Sequence, residues 1–266
     1  MNWLLRKAGS SLARYLSKPS TAVPAKPTCP PEKLVATIRK GDVLLVEGIT
    51  RFGSAIRYLT QSCWSHSALC CENPGADALT NPEARILVEA DVNEGVRTLP
   101  ITAYTGIHTR ICRPVGLSPA EIDKVVRFAL DRVGHKYDLK NVFDLARYLI
   151  RRPPVPGPWR RRLITIGSGD PTKAICSSLI AQAFQQVRYP ILQDLRTLDV
   201  SDASGRAKHR EVMHIRHHSL FTPRDFDLSP YFKIMKPTLE QGFNFRAIEW
   251  EDQASPNEAN EWRPSG

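Results

Sequence analysis

Three residue types in this chain combine into nucleophilic chemistry. Cys176 opens the stretch AICSSLIAQAF (174–184), where apolar residues at 179, 180, 183, 184 and 187 fall at helical spacing. Asp170 and Pro171, just upstream, are suited to stop a loop and start that helix. A thiol at a helix start meets unpaired backbone N–H groups and the positive end of the helix dipole, and both favour the nucleophilic thiolate. The same N–H groups can hold a developing oxyanion. A thiolate needs a base. His66, 110 residues upstream, stands on a predicted strand among Ser65, Ser67 and Ala68, where an imidazole can face a cleft. The base needs an orienting group in turn. Glu89 interrupts the apolar run Ile86-Leu-Val-Glu-Ala90, and a carboxylate buried there must be paired. Together the three can attack a carbonyl and form an acyl-enzyme. The plainer readings are a structural histidine and a solvent-facing glutamate on a half-exposed strand.

The elements that must position them alternate in kind. A Gly-Asp turn precedes a buried strand at 41–47, and residues 53–60 read as a short helix. Strands follow at 65–71, which carries His66, at 85–91, which carries Glu89, and at 95–100 and 108–114; short strands between turns predict an antiparallel sheet. Ser118 and Glu121 form a capping box. It opens a helix to about 133, with Ile122, Val125, Val126, Ala129 and Leu130 inward and Gly134 as its stop. A second helix is predicted from 138 or 141 to 150, then a basic, Pro-rich loop, then the Cys176 helix. Beyond it the chain reads as loops and brief helical turns, at 223–226 and 229–232. The fold class is α+β: an antiparallel, barrel-like sheet packed against helices.

Composition bounds the rest. Hydrophobic residues make up 42% of 266, enough for a core, and no apolar run is long enough to span a membrane. The six cysteines form no C-x-x-C, so a zinc site of the usual spacing is not predicted; reduced, mostly buried thiols and a reducing compartment are. The net charge of +10 favours anionic surfaces. Part of it lies in residues 1–31, which hold five cations and no acid; part lies in 146–173. Neither stretch interleaves bases with aromatic platforms, so no specific nucleic-acid partner is predicted. Residues 1–18 pattern as an amphipathic basic helix with Leu4, Ala8, Leu12, Tyr15 and Leu16 on one stripe. That fits a peripheral membrane contact, a cleaved targeting peptide or an undocked terminus. The domain reading is a basic segment and Pro-rich linker at 1–33, a folded unit at 34–240 and a polar tail at 241–266.

In order, three blocks resemble the YiiX-like (YebB-like) branch of the NlpC-type superfamily, the circularly permuted papain-like cysteine hydrolases. The first is Gly41-Asp-Val-Leu-Leu45 with Ile56-Arg-Tyr-Leu-Thr60 and Trp64-Ser-His-Ser-Ala-Leu69. The second is Val88-Glu-Ala-Asp91 with Gly95-Val96. The third is Gly134-His-Lys-Tyr-Asp138 with Cys176-Ser-Ser-Leu-Ile-Ala-Gln-Ala-Phe184. Residues 222–226 and 229–232 resemble the family's ending. Histidine and glutamate precede cysteine, as the permuted order requires. The resemblance implies a permuted papain-like fold with Cys176 as nucleophile, His66 as base, Glu89 as the third member and Tyr137 as a site-shaping residue. It implies no cofactor. The substrate would be a peptide amide, or a lipid ester or amide as in lecithin retinol acyltransferase-like relatives, with hydrolysis or acyl transfer as the outcome. A non-catalytic lipid- or acyl-binding protein is the alternative from another class.

Other candidates carry less. His209, His214, His217 and His218 are crowded by Lys208, Arg210 and Arg216, which disfavours a metal site and suits a solvated or anion-binding loop. His108 and His135 lack a motif around them. Gly167-Ser-Gly169 lacks the Lys-Ser/Thr of a phosphate loop.

Overall fold

The computed structural model describes residues 18, 27, 29–81, 83–91, 93–135, 176–201, 207–215, 218 and 221–248. Tyr137, His217, the predicted helix to 150, the basic loop 151–172 and the amphipathic stretch up to residue 17 lie outside them, as does most of the polar tail.

A mixed α+β unit is built on six antiparallel strands. They are β1 (Val43–Val46), β2 (His66–Cys70), β3 (Leu87–Asp91), β4 (Gly95–Leu99), β5 (Thr109–Pro114) and β8 (Phe232–Met235), in the order β4-β3-β2-β1-β5-β8. The sheet is open: β4 and β8 are its edges and do not pair with each other, where a barrel-like sheet was the expectation. The central β1 is buried along its whole length, which explains its unbroken apolar run: both of its faces are covered.

Period-two alternation sorts the strand residues into two cores. On one face Val43, Leu45, Leu69, Val88, Ala90 and Cys112 pack against helices α3 (Pro119–Leu130) and α4 (Cys176–Gln185). On the other, Leu44, Val46, Ala68, Cys70, Leu87 and Ile111 pack against Leu34 and Ile38 of α1 (Pro31–Thr37) and its C-cap. The box of Ser118 and Glu121 forms as the sequence predicts, with both reciprocal bonds made. Val125, Val126 and Ala129 are buried, but Leu130 is exposed, because the helix ends there and turns its last residue to solvent. Gly41 turns at φ +89°, and a Cβ there would stand 2.9 Å from Ile122, so the turn into β1 needs glycine for its backbone and for the close approach of α3.

Two further expectations are corrected. Residues 193–201 and 207–215, in a part read as loops and short elements, are two long antiparallel strands, β6 (Gln193–Ser201) paired with β7 (Ala207–Ile215). His209 and His214 therefore sit on a strand opposite Asp199 and Asp194. Residues 229–232 are a turn that feeds β8 rather than a helical turn: Phe232 pairs with Pro114 of β5, and the tertiary partner overrides the local pattern. The turn at 223–226 is helix α5 (Pro223–Leu228), capped by the Thr222–Asp225 box.

Candidate active site

Cys176 is the first described residue of α4, a helix buried on nearly every side. Its platform is aromatic. Phe184 lies edge-on to Phe232 at 5.2 Å and tilted against Tyr189 and Phe226, and the Ser177 hydroxyl donates to the Phe221 carbonyl at 2.7 Å. Burying a side chain the size of Phe184 is worth about 2 kcal/mol, so the helix carrying the thiol is firmly seated. It packs on β2 and β3, the strands of His66 and Glu89. The gap of 110 residues in the chain is closed this way.

His66 starts β2, and the residues just before it fix its approach. Trp64 is buried, stacks on His108 with ring centres 5.0 Å apart, and donates through Nε1 to Asp227 of α5 at 3.0 Å. Arg110 holds the other oxygen of Asp227 at 2.6 Å. The Ser65 hydroxyl accepts from Gly48 N–H at 2.7 Å, and a Cβ on Gly53 would stand 3.0 Å from that hydroxyl. The start of helix α2 (Arg51–Thr60), capped by Thr50, therefore lies tight against the strand and walls the site.

Glu89 is 1% exposed and surrounded by donors. Its Oε2 accepts from His66 Nε2 at 2.7 Å and from the Tyr104 hydroxyl, which lies on the 3-10 turn Ile101–Tyr104. Its Oε1 accepts from Arg97 Nε at 2.9 Å and Nη2 at 2.8 Å. Arg97 lies directly across the hairpin from Glu89 and reaches outward to Glu94 at 2.7 Å. With Nε2 on Glu89, His66 has Nδ1 left for the Cys176 thiol, to which its side chain is also hydrogen-bonded.

The electrostatics agree with that geometry. Burial works against the charge on Glu89, but His66, the Tyr104 hydroxyl and Arg97 together lower its pKa from 4.5 to about 2. Burial also opposes an imidazolium at His66, yet the charges and hydrogen bonds of Cys176 and Glu89 outweigh it and raise the pKa well above 6.5. For Cys176, burial pushes the thiol up; His66 and then Ser67 bring it below its ordinary value. Both shifts favour transfer of the thiol proton to the imidazole. The other buried thiols move the opposite way: burial drives Cys70 and Cys112 far up and Cys71 to about 11. All six cysteines are free.

His66, Glu89 and Cys176 line one cavity of about 270 Å³, together with Ile49, Thr50, Asp91, Arg97, Tyr104 and Ile107. The structure thus brings together the three residues singled out from the sequence; Tyr137 lies outside the described residues. Arg97 and Tyr104 were missed. Arg97 had a readable signal, since alternation across a tight hairpin sets it opposite Glu89. Tyr104 had none, because a 3-10 turn carries no useful period.

No protein-family model matches the chain, and none of the curated proteins does. Among solved structures the chain is similar to the crystal structure of the metalloprotein YiiX from Escherichia coli O157:H7 (DUF1105). The two share 13% identity over 74% of this chain and 96% of that one, with a TM-score of 0.40. At that level of likeness, function must be read from the site itself.

Proposed function

We propose that this chain is a thiol-dependent hydrolase of permuted papain-like fold, acting on amide or ester carbonyls through an acyl-enzyme on Cys176. The observation that supports it most is the relay from the Cys176 thiol through His66 to a buried, charged Glu89 on the wall of a cavity. A binding pocket has no need of a thiolate, whereas a nucleophile does. The chain order histidine, glutamate, cysteine and the seating of the cysteine helix against an antiparallel sheet fit the NlpC-type reading.

The reaction follows from the groups present. His66 takes the proton of Cys176. The thiolate adds to the substrate carbonyl, and the resulting oxyanion takes hydrogen bonds from nearby N–H groups. The tetrahedral adduct collapses to a thioester, and the amine or alcohol leaves with the proton from His66. Water, deprotonated by His66, then attacks the thioester, releasing the carboxylic acid and restoring the thiol. An acceptor alcohol or amine in place of water makes the same site an acyltransferase. Glu89, fixed by Tyr104 and Arg97, holds the imidazole ring and stabilises its charge. The basic amphipathic pattern of residues 1–18 favours a lipid-borne acyl group over a cell-wall peptide.

The test is the pH dependence of alkylation at each cysteine, followed by mass spectrometry on the wild-type chain and on His66→Ala. Cys176 is expected to label fast well below an ordinary thiol pKa of about 8.5, and to lose that advantage in the variant. Slow labelling, indifferent to His66, would instead mark an acyl-binding protein.

A further inference from the structure

We propose that Ser67 is a further catalytic residue: its hydroxyl and main-chain N–H hold the Cys176 sulfur in its anionic form. This inference rests on the reading of Cys176 as nucleophile.

The observation behind it is an orphan. Ser67 is fully buried, and its Oγ makes no hydrogen bond of ordinary geometry. Buried hydroxyls are almost always paired, and an exception calls for a physical reason. Ser67 is well placed to find a partner elsewhere: a serine hydroxyl rotates freely, and strand neighbours often offer a carbonyl. It faces the thiol instead. Period-two alternation on β2 turns His66 toward Glu89 and Ser67 toward the face on which α4 packs. The sulfur of Cys176 therefore meets consecutive residues of one strand, the imidazole of His66 and both the hydroxyl and the N–H of Ser67. A neutral thiol is a poor acceptor and leaves the hydroxyl unsatisfied. A thiolate is a full negative charge and a much better one. The orphan hydroxyl is thus set in advance for the ionised sulfur, and it becomes satisfied when the proton moves to His66. Serine is the residue this asks for: small enough to lie under the first turn of α4, and a donor. Alanine would take one side-chain donor away from the sulfur, and valine would fill the space without donating.

Ser67→Ala tests the idea against Ser67→Thr, which restores the hydroxyl, with Cys176 alkylation followed across pH by mass spectrometry on the full chain. The expected result for Ser67→Ala is a profile displaced toward alkaline pH, with labelling below neutral pH slowed about ten-fold, the effect of losing one hydrogen bond to a charged group. Ser67→Thr should return most of that rate. A Ser67→Ala profile superimposable on wild type overturns the proposal, as does a Ser67→Thr profile no better than alanine's in a folded chain. Near-ultraviolet circular dichroism checks folding in both variants. The wild-type profile is read first. If wild-type Cys176 labels no faster than Cys63, the hydrolase reading itself has failed; if it labels fast and Ser67→Ala changes nothing, only the role of Ser67 has.

Discussion

Glu89→Gln separates charge from shape at the centre of the network. Every group around the carboxylate is a donor: His66 Nε2–H, the Tyr104 hydroxyl and two Arg97 nitrogens. A carboxylate offers two accepting oxygens to them. An amide offers one, and its NH2 must then face either the His66–Tyr104 pair or Arg97 as donor against donor. The loss can be sized from the carboxyl itself. Its pKa falls from 4.5 to about 2 in the folded chain, which corresponds to on the order of 3 kcal/mol of stability. The sign is that of a depressed carboxyl. The contribution is complete above the unfolded value of 4.5 and is lost as pH falls through the folded value of about 2. Wild type should therefore lose stability across that interval in urea titrations at stepped pH. Glu89→Gln should start lower at neutral pH and show a flatter profile over the same range. Activity should fall further than stability, because a carboxylate-to-amide change in a Ser-His-Asp triad costs about 10⁴ in kcat. Wild-type and variant stability profiles that run parallel from neutral to acid pH would refute the account of Glu89 as a buried, charged hub.

Cys176→Ala should abolish turnover and leave the unfolding transition within about 1 kcal/mol of wild type, since a buried Sγ is exchanged for a small gap; residual turnover in an acyl-substrate screen would remove Cys176 from the mechanism. The rate should be bell-shaped in pH, rising as the lowered Cys176 thiol ionises and falling as the raised His66 imidazolium loses its proton, with both limbs belonging to the coupled pair. A rate that climbs without an alkaline limb would place the proton elsewhere. Tyr104→Phe removes one donor to Glu89, which should raise the carboxyl's pKa and destabilise the fold by about 2 kcal/mol at neutral pH, read by urea unfolding.

The site was legible from the sequence to the extent that its residues break a local pattern. Glu89 was visible because one carboxylate stands in a run of apolar strand residues, and Cys176 because a thiol opens an apolar helix. His66 stood out through its small neighbours, and one of those, Ser67, lies fully buried on the strand against which α4 packs. Arg97 apart, what failed had no local signal. The β6–β7 pair is rich in charge and lacks clean alternation, so its pairing is set by register with a partner strand, not by its own pattern. Strand β8 exists because β5 offers an edge for it, a fact absent from residues 229–235 themselves. Tyr104 reaches Glu89 only after β4 and the 3-10 turn have returned the chain to the carboxylate.

The arrangement also explains why one sheet suffices to pair His66 with Glu89. His66 and Glu89 lie on adjacent antiparallel strands, where Glu89 stands opposite Ala68, two residues from His66 and on the same face. No loop conformation is needed to hold that pair: the hydrogen bonds of the β2–β3 ladder do it, and β4 adds Arg97 by the same register. The Cys176 thiol comes from outside the sheet, on a helix seated by apolar contacts with the opposite face. Its alignment with His66 is therefore a matter of core packing. A cavity-forming change beneath α4, such as Phe184→Ala, should cost about 3 to 5 kcal/mol in stability. If the rest of the chain stays folded, it should also slow Cys176 alkylation while leaving the Glu89-dependent part of the stability–pH profile in place. Loss of both together would show that thiol and carboxylate are held by one cooperative core and not by two separable devices.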